Sequence, residues 1–197
     1  LQQLKMVIET VYARYKRIDG VIHAAGLLKD KLFLDQSTDS FELVYKTKVT
    51  ILEALTKFID INKLSLIIFF SSVAGRFGNA GQSDYAAANE TITRFSYYAK
   101  HLNSKLSVNS IHWGPWDTTG MASEAVKEKF RKQGIIPIPV NIGILTFEKI
   151  FNGCFNDVEL ISGEGPWIGY ETHSAEDKLK SNNDQYPLSP FIQSSII

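Results

Sequence analysis

The 197-residue sequence contains a single cysteine, Cys154, and no excess of charge of either sign. A lone cysteine excludes an intrachain disulfide, which fits a reducing cytoplasm better than secretion. Its 21 basic and 21 acidic residues balance, so the composition does not favour a polyanionic partner such as nucleic acid. No apolar run approaches the roughly 20 residues of a membrane span, and no secretory signal is recognisable. We therefore expect a cytoplasmic protein with neither a nucleic acid nor a membrane as partner.

Two kinds of ligand-binding motif are also missing. His23 and His112 both lie in strand-like segments, and no Cys/His spacing typical of zinc accompanies them. Gly75, Gly78 and Gly81 are spaced G-x-x-G-x-x-G, and no acidic residue lies in a suitable strand about 20 residues later, as a dinucleotide-binding fingerprint requires. We therefore expect no metal site, and we interpret the three glycines as a flexible loop that shapes a substrate cleft.

What the sequence does contain is an alternation of strand-like and helix-like segments, in a chain that is 44% hydrophobic and 21% charged. Apolar residues at steps of three or four predict helices, and short apolar runs predict strands. The predicted helices are 1–17, 39–60, 83–102, 122–133 and 141–152, and the predicted strands are 20–26, 64–70, 107–113 and 158–164. This alternation predicts an α/β fold, a parallel sheet with helices on both faces. Ligands of such sheets bind at the carboxyl ends of the strands, where residues 24–26, 71–72 and 114–121 fall.

The most informative stretch runs from Ser71 to Asn89, directly after the apolar run LSLIIFF. It places Ser72 at a strand end and puts Tyr85 and Asn89 four residues apart, on one side of a helix. That side continues as the apolar stripe of the helix, so the polar atoms point inward and need partners. A hydroxyl that holds a carbonyl, beside a phenol that protonates it, makes a carbonyl-reducing site. The alternative is a serine N-cap followed by ordinary helix packing.

A lysine interrupts the apolar face of the preceding helix. Lys48 lies between Val44 and Leu52 on a stripe that otherwise faces the core. Burial of its ammonium costs free energy unless a carboxylate, a hydroxyl or a ligand pairs with it. Alternatively, the side chain extends past the stripe to reach solvent.

These residues and their surroundings resemble the ketoreductase domains of modular polyketide and polyunsaturated-fatty-acid synthases, in the short-chain dehydrogenase/reductase superfamily. The matching motifs are VIHAAGLLKDK (21–31), KTKVTILEAL (46–55), FFSSVAGRFGNAGQSDYAAANE (69–90) and IHWGPWDTTGM (111–121). Intervals of 24, 13 and 4 residues separate Lys48, Ser72, Tyr85 and Asn89, as in the catalytic set of that family. Most short-chain reductases have a lysine four residues after the tyrosine. Asn89 stands there in this chain, which is the swapped arrangement of the synthase ketoreductases.

The resemblance implies a role for each residue of this set. Ser72 would hydrogen-bond a β-keto oxygen, and Tyr85 would donate the proton. Lys48 would lower the pKa of the phenol and bind the nicotinamide ribose, while Asn89 would support a proton relay or hold Lys48. The implied cofactor is NADPH, and the implied cofactor-binding residues are Ala24, Ala25, Gly26, Lys48, Tyr85, Gly114 and Pro115. Taken alone, the small residues of the HAAG turn are also explained by packing at a strand end.

The resemblance also implies a context for the chain. The substrate would be a β-ketoacyl thioester carried on acyl carrier protein, and neighbouring synthase domains would be partners. The segment Met121–Gln133 would form a lid over the cleft. Leu28-Lys29-Asp30 retains the second aspartate of the family's D-type motif, and Phe77 stands where the opposite class has tryptophan. Both features favour a D-hydroxyl product.

One part of the family pattern is missing from the sequence, namely the opening strand, glycine-rich loop and helix that hold the cofactor pyrophosphate. We therefore expect a Rossmann-like sheet that lacks its first strands, with strand 20–26 at an exposed edge, in a chain inactive by itself. Residues 1–170 are assigned to the catalytic part of the domain, and 171–197 to a linker followed by the start of another domain or by a tail that packs on the fold. Two alternatives stay open: a non-catalytic structural remnant inside a synthase, and a single-domain NAD-dependent alcohol dehydrogenase, which Asn89 and HWGPW disfavour.

Overall fold

The computed structural model describes residues 1–166 and 192–194, and within them helices cover both faces of a sheet. The helices are α1 (Gln2–Tyr15), α2 (Thr38–Phe58), α3 (Val73–Phe77), α4 (Ser83–Leu102), α5 (Glu124–Lys132) and α6 (Val140–Phe151). The strands are β1 (Gly20–His23), β2 (Leu66–Ser72), β3 (Ser107–Trp113), β4 (Glu159–Ser162) and β5 (Ile192–Ser194). The predicted Rossmann-like α/β fold is confirmed.

The sheet has the order β1-β2-β3-β4-β5, and its first four strands run parallel. Strand β5 pairs antiparallel with β4. Parallel strands place all their carboxyl ends at one edge, so the ends of β1, β2 and β3 lie side by side. Strand β1 is the outer strand on its side, and Ile22 in it is 49% exposed.

The carboxyl ends of β1 and β2, which lie at the predicted ligand-binding edge, differ from the sequence-based prediction. Strand β1 ends at His23, three residues earlier than predicted, because it pairs with β2 only from Gly20 to His23. Strand β2 extends to Ser72, two residues further than predicted, because Ser71 and Ser72 pair with His112 and Trp113 of β3. A strand therefore extends only as far as its backbone pairs with a neighbouring strand, which apolar patterning of one segment does not reveal.

Alternating side chains of β2 pack into two separate hydrophobic cores, one on each face of the sheet. Ile67 and Phe69 pack with residues of α1, α2 and α4 on one face of the sheet. Ile68 packs on the other face, against Ile111 of β3 and Ile150 of α6. This division follows from the two-residue period of a strand, and it explains why β2 reads as a continuous apolar run. Helices α2 and α4, which carry Lys48 and Tyr85, thus cover the same face of the sheet.

The structure describes only part of the C-terminal region that was assigned from the sequence. The predicted linker from His173 to Asp184 lies outside the described residues. Strand β5 continues the same sheet as β4, while the division of the chain at residue 170 stays a prediction. None of the helices in residues 1–166 combines the length and the apolar character needed to cross a membrane.

Candidate active site

Ser72 ends β2 and caps the N-terminus of α3. Its hydroxyl oxygen accepts a hydrogen bond from the Ala74 amide at 3.2 Å, which satisfies one of the free donors of the first turn. The hydroxyl proton is not used by this cap, because the oxygen acts as the acceptor. Ser72 can therefore cap the helix and still donate its proton to a carbonyl in the cleft.

The segment after Ser72 is a short helix, so the prediction of a flexible glycine loop is wrong for Val73–Phe77. Gly75 lies inside this helix, and a Cβ built on it would come within 2.7 Å of the Asn89 Cβ. Glycine is needed there because α3 and α4 approach each other closely. Gly78 and Gly81 follow the helix with φ of 76° and 82°, a conformation that favours glycine at turns.

Tyr85 and Asn89 lie on α4 with their side chains turned inward, as the four-residue interval predicts. Tyr85 is buried, and Asn89 is fully buried behind it. The Asn89 side-chain amide donates to the Tyr85 carbonyl at 2.7 Å. Its other side-chain atom, Oδ1, is buried with no hydrogen-bond partner among the described residues. A buried, unpaired amide oxygen is uncommon and marks a place where a further donor is accommodated.

Lys48 of α2 is only 2% exposed, so the alternative in which it reaches solvent is not what the structure shows. Its ammonium donates to the Phe70 carbonyl at 2.7 Å and lies 5.7 Å from the centre of the Tyr85 ring. Burial lowers the pKa of Lys48 to about 8. The two residues that the sequence predicts to act together are thus neighbours, on helices that pack side by side.

The pKa of Tyr85 is raised above its ordinary value, and the lowering expected from Lys48 stays a prediction. Burial of the phenol is the main cause, because it disfavours the phenolate. The Asn89 and Ser72 side chains act in the opposite direction and lower the pKa, but they do not outweigh burial.

The cleft beside these residues has a volume of about 1190 Å³. Its walls include most of the predicted catalytic and cofactor-binding residues, namely Ala24, Gly26, Lys48, Ser72, Tyr85, Gly114 and Pro115. Two predicted residues do not line it, since Ala25 is exposed outside it and Asn89 lies behind Tyr85. A Cβ on Gly26 would come within 3.3 Å of the Lys48 Cε, so glycine keeps this wall open to a close ligand.

The predicted lid forms one side of the cleft. Met121, Val126 and Phe130 line it from the segment around α5. Asp117 anchors this segment, because its backbone carbonyl accepts from Lys127 and its carboxylate pairs with Arg131 at 3.0 Å. The prediction of Met121–Gln133 as a cover over the cleft is therefore consistent with its position.

Sequence reasoning missed a polar pair among the residues that line the cleft. Gln82 donates to both carboxylate oxygens of Asp30, each at 3.1 Å, and both residues line the cleft. Gln82 directly precedes α4. A polar side chain at that position is common at helix N-termini and does not by itself indicate a site. Only the fold brings the segment around Asp30 against Gln82. No group of three metal-ligating side chains is found in the described ranges.

His23 fastens the Lys48 helix to β1. Its Nε2 donates to the Lys48 carbonyl at 3.0 Å, and the ring packs edge-on against Phe69. Burial is the main reason that the pKa of His23 falls to about 4, and the Lys48 ammonium lowers it further. The hydrogen bond to the carbonyl acts weakly in the other direction. The imidazole is therefore neutral in the folded protein above this pH.

We expect acid to destabilise the fold through His23. As the pH falls below 6.5, the unfolded chain takes up a proton that the folded chain accepts only near pH 4. Between about pH 7.5 and about pH 5, the free energy of unfolding should fall by about 2 kcal/mol through this residue. Chemical denaturation at the two pH values measures it. His23→Leu should lose this part of the pH dependence, whereas the exposed His101→Gln should keep it. Equal pH dependence in wild type and His23→Leu would contradict the assignment.

Comparison with known proteins decides the family. A family model of the KR domain matches residues 1–118. The chain is 37% identical over 183 residues to a polyunsaturated fatty acid synthase protein of Thraustochytrium sp., a match that covers 90% of this chain and 6% of that protein. The chain belongs to the KR domain family. It is also 31% identical over 169 residues to polyketide synthase PksN of Bacillus subtilis, with 82% of this chain and 3% of that protein covered.

Solved KR structures have the same architecture. A ketoreductase domain from the bacillaene assembly line superposes with a TM-score of 0.71 and 31% identity, covering 82% of this chain and 40% of that one. The first ketoreductase of the tylosin polyketide synthase superposes with a TM-score of 0.69 and 31% identity, covering 82% and 35%. A short-chain dehydrogenase from Streptomyces avermitilis, at 18% identity and a TM-score of 0.67, shares the fold and covers 81% and 65%.

KR domains are oxidoreductases, and their family binds nicotinamide cofactors. The residues of this KR domain fit the nicotinamide end of such a cofactor. Gly26 has no side chain to fill the space beside Lys48, and the Asn89 Oδ1 is without a hydrogen-bond partner among the residues described. These features lie at the carboxyl ends of β1 and β2, where nucleotides bind in open parallel sheets.

Proposed function

We propose that this KR domain reduces a β-ketoacyl thioester to the β-hydroxyacyl thioester with NADPH, within a polyketide or fatty-acid synthase. The observation that carries the proposal is the convergence of Lys48, Ser72 and Tyr85 on one cleft. The three side chains come from α2, from the end of β2 and from α4. A buried ammonium, a free hydroxyl proton and a buried phenol are the groups that carbonyl reduction needs.

Ser72 and Tyr85 are proposed to act on the keto oxygen. Ser72 donates its hydroxyl proton to this oxygen while its own oxygen remains held by the Ala74 amide. Tyr85 transfers its phenolic proton to the same oxygen as negative charge develops there. A raised pKa keeps the phenol protonated at neutral pH, so the acid form is ready before the reaction.

Lys48 and Asn89 are proposed to complete the site. When bound, NADPH supplies the hydride that reaches the carbonyl carbon. Lys48 stabilises the phenolate left by proton transfer and donates to the nicotinamide ribose, within reach of Gly26. The unpaired Oδ1 of Asn89 accepts a hydrogen bond from a further donor. In this way Asn89 positions one member of the proton relay that reprotonates Tyr85. Ala24, Ala25, Gly114 and Pro115 are proposed to contact the cofactor through backbone at the strand ends.

The wider context is also part of the proposal. The chain spans 6% of the first curated relative and 40% of the first solved neighbour, so the activity, substrates and partners of the whole protein are inferred. We propose that the substrate arrives on acyl carrier protein, that adjacent synthase domains are partners, and that the protein is cytoplasmic. The 197 residues contain no strand–glycine loop–helix for the pyrophosphate, and we propose that they are inactive by themselves.

The reductase proposal is tested with the full-length protein and a β-ketoacyl thioester of N-acetylcysteamine. We expect NADPH consumption, followed by absorbance, to match formation of the β-hydroxyacyl product one for one. NADH should support a rate lower by at least about tenfold, the contribution of one charge-assisted hydrogen bond to the extra phosphate. No product from wild-type protein that binds NADPH would favour the alternative, a structural KR remnant.

A further inference from the structure

The strongest unexplained feature outside the cleft wall is a buried histidine–glutamate pair next to Ser72. His112 of β3 and Glu159 of β4 are both fully buried, and the His112 Nε2 lies 2.9 Å from the Glu159 Oε1. Each of two adjacent parallel strands thus carries one buried ionisable residue, and the two side chains meet. Burial of such a pair is costly unless every polar atom is well placed, so its presence calls for a specific reason.

The other ring nitrogen of His112 points at the reactive serine. His112 Nδ1 lies 3.0 Å from the backbone carbonyl oxygen of Ser72, with the Ser71 hydroxyl at 3.3 Å. A carbonyl oxygen only accepts hydrogen bonds, so Nδ1 carries a hydrogen. Nε2 lies on the other side of the ring, next to the Glu159 carboxylate. His112 therefore lies between Glu159 and Ser72, with Nδ1 as the donor to the Ser72 carbonyl.

Glu159 is held as a carboxylate by groups from three elements. Tyr97 of α4 donates to its Oε2 at 3.0 Å, Arg76 of α3 lies 3.5 Å from its Oε1, and His112 of β3 faces the same oxygen. Burial raises the pKa of Glu159, but contacts with His112, Arg76 and Tyr97 outweigh burial and leave the pKa below its usual value. The carboxylate is a fixed point to which α3, α4 and β3 are tied.

We propose that His112, held by Glu159, is a positioning residue that fixes the peptide of Ser72 and thereby aims the Ser72 hydroxyl into the cleft. This inference rests on the proposed reductase function. Ser72 is the last residue of β2 and directly precedes α3. The orientation of its carbonyl therefore determines how the chain turns from the strand into the helix. A rotation of this peptide would move the hydroxyl away from the keto oxygen, even if β2 stayed in place. Misplacement of a catalytic group by about 1 Å can cost about a hundredfold in rate.

Two polar substitutions separate positioning from stability. His112→Asn places an amide where Nδ1 was, so it keeps a donor to the Ser72 carbonyl and loses Glu159. His112→Gln places its amide near Nε2, so it keeps Glu159 and loses Ser72. We expect His112→Gln to lower kcat for the β-ketoacyl thioester at least about tenfold with an unchanged KM for NADPH, and His112→Asn to keep kcat within about threefold of wild type. Stability should follow the reverse order, because only His112→Gln keeps the contact with Glu159.

A double-mutant cycle in the full-length protein checks the route through Ser72. If His112 acts by aiming this hydroxyl, His112→Gln should lower kcat little further once Ser72→Ala has removed it. Equal losses in His112→Asn and His112→Gln, kcat values that follow stability, or additive losses in the Ser72→Ala background would each overturn the inference while leaving the reductase function intact. An inactive wild-type protein would instead contradict the proposed function, and the inference with it.

Discussion

Tyr85→Phe should lower kcat for β-ketoacyl reduction by about two to four powers of ten, the usual contribution of a positioned general acid. The substitution removes only the hydroxyl, whose neighbours are the Ser72 and Asn89 side chains. The ring stays packed against Val44 and Ala74, so the fold should be unaffected. Binding of NADPH, measured by fluorescence titration, should weaken far less than the rate falls. The measurement is the steady-state rate of NADPH oxidation in the full-length protein.

A matched control for this change is Tyr98→Phe on the same helix. Tyr98 is half exposed and lies on the side of α4 away from the cleft, so loss of its hydroxyl should leave kcat unchanged. If Tyr85→Phe retained a rate within about threefold of wild type, another group would have to supply the proton. That result would remove Tyr85 from the proposed mechanism without disturbing the KR family assignment.

The fold was largely predictable because the signals that specify it are local. Apolar periodicity located α2 and α4, and the run LSLIIFF located β2 between them. The carboxyl ends of parallel strands then brought Ser72 and the HWGPW segment to the same edge. Strand ends were less predictable, since β1 ends at His23 although its partner β2 continues to Ser72.

The chemistry of the site was harder to predict because it depends on distances between elements. The intervals among Lys48, Ser72 and Tyr85 indicated which residues meet, and the structure places all three on the cleft. They did not indicate that burial raises the pKa of Tyr85. Glu159 is a visible signal, a charged residue beside the apolar pair Leu160-Ile161, but its partner His112 is remote in sequence. Pairing of two such positions requires the register of the sheet.

Gly75 shows how a residue type can be interpreted wrongly when its neighbours in space are unknown. Glycine in a polar segment suggests a flexible loop, but here it permits the contact between α3 and α4. The same explanation applies to Gly143 of α6. In the sequence it is only a glycine within a helical pattern, but in the structure it permits a close contact. Its neighbour in space is Trp116 of the HWGPW motif, which also lines the cleft. No pattern in the sequence connects these two residues, because only the tertiary fold brings them together.

Gly143→Ala is expected to destabilise the protein although alanine favours helices. A Cβ at this position would lie 2.3 Å from the far end of the Trp116 indole, a distance that forces the ring or the helix to move. Overpacking of this kind typically costs about 1–3 kcal/mol, against a gain of about 1 kcal/mol in helix propensity. The free energy of unfolding by urea should therefore fall. The reductase rate should fall as well, because Trp116 forms part of the cleft wall.

Trp116→Phe identifies the cause of this destabilisation. Phenylalanine lacks the outer indole atoms that the new Cβ would meet, so the double variant Gly143→Ala/Trp116→Phe should be more stable than the sum of the two single changes predicts. The coupling should have a favourable sign and a size on the order of 1 kcal/mol. Additive effects would mean that α6 and Trp116 adjust independently. A Gly143→Ala protein more stable than wild type would show that helix propensity outweighs the contact, and that the indole does not press against α6 at this position.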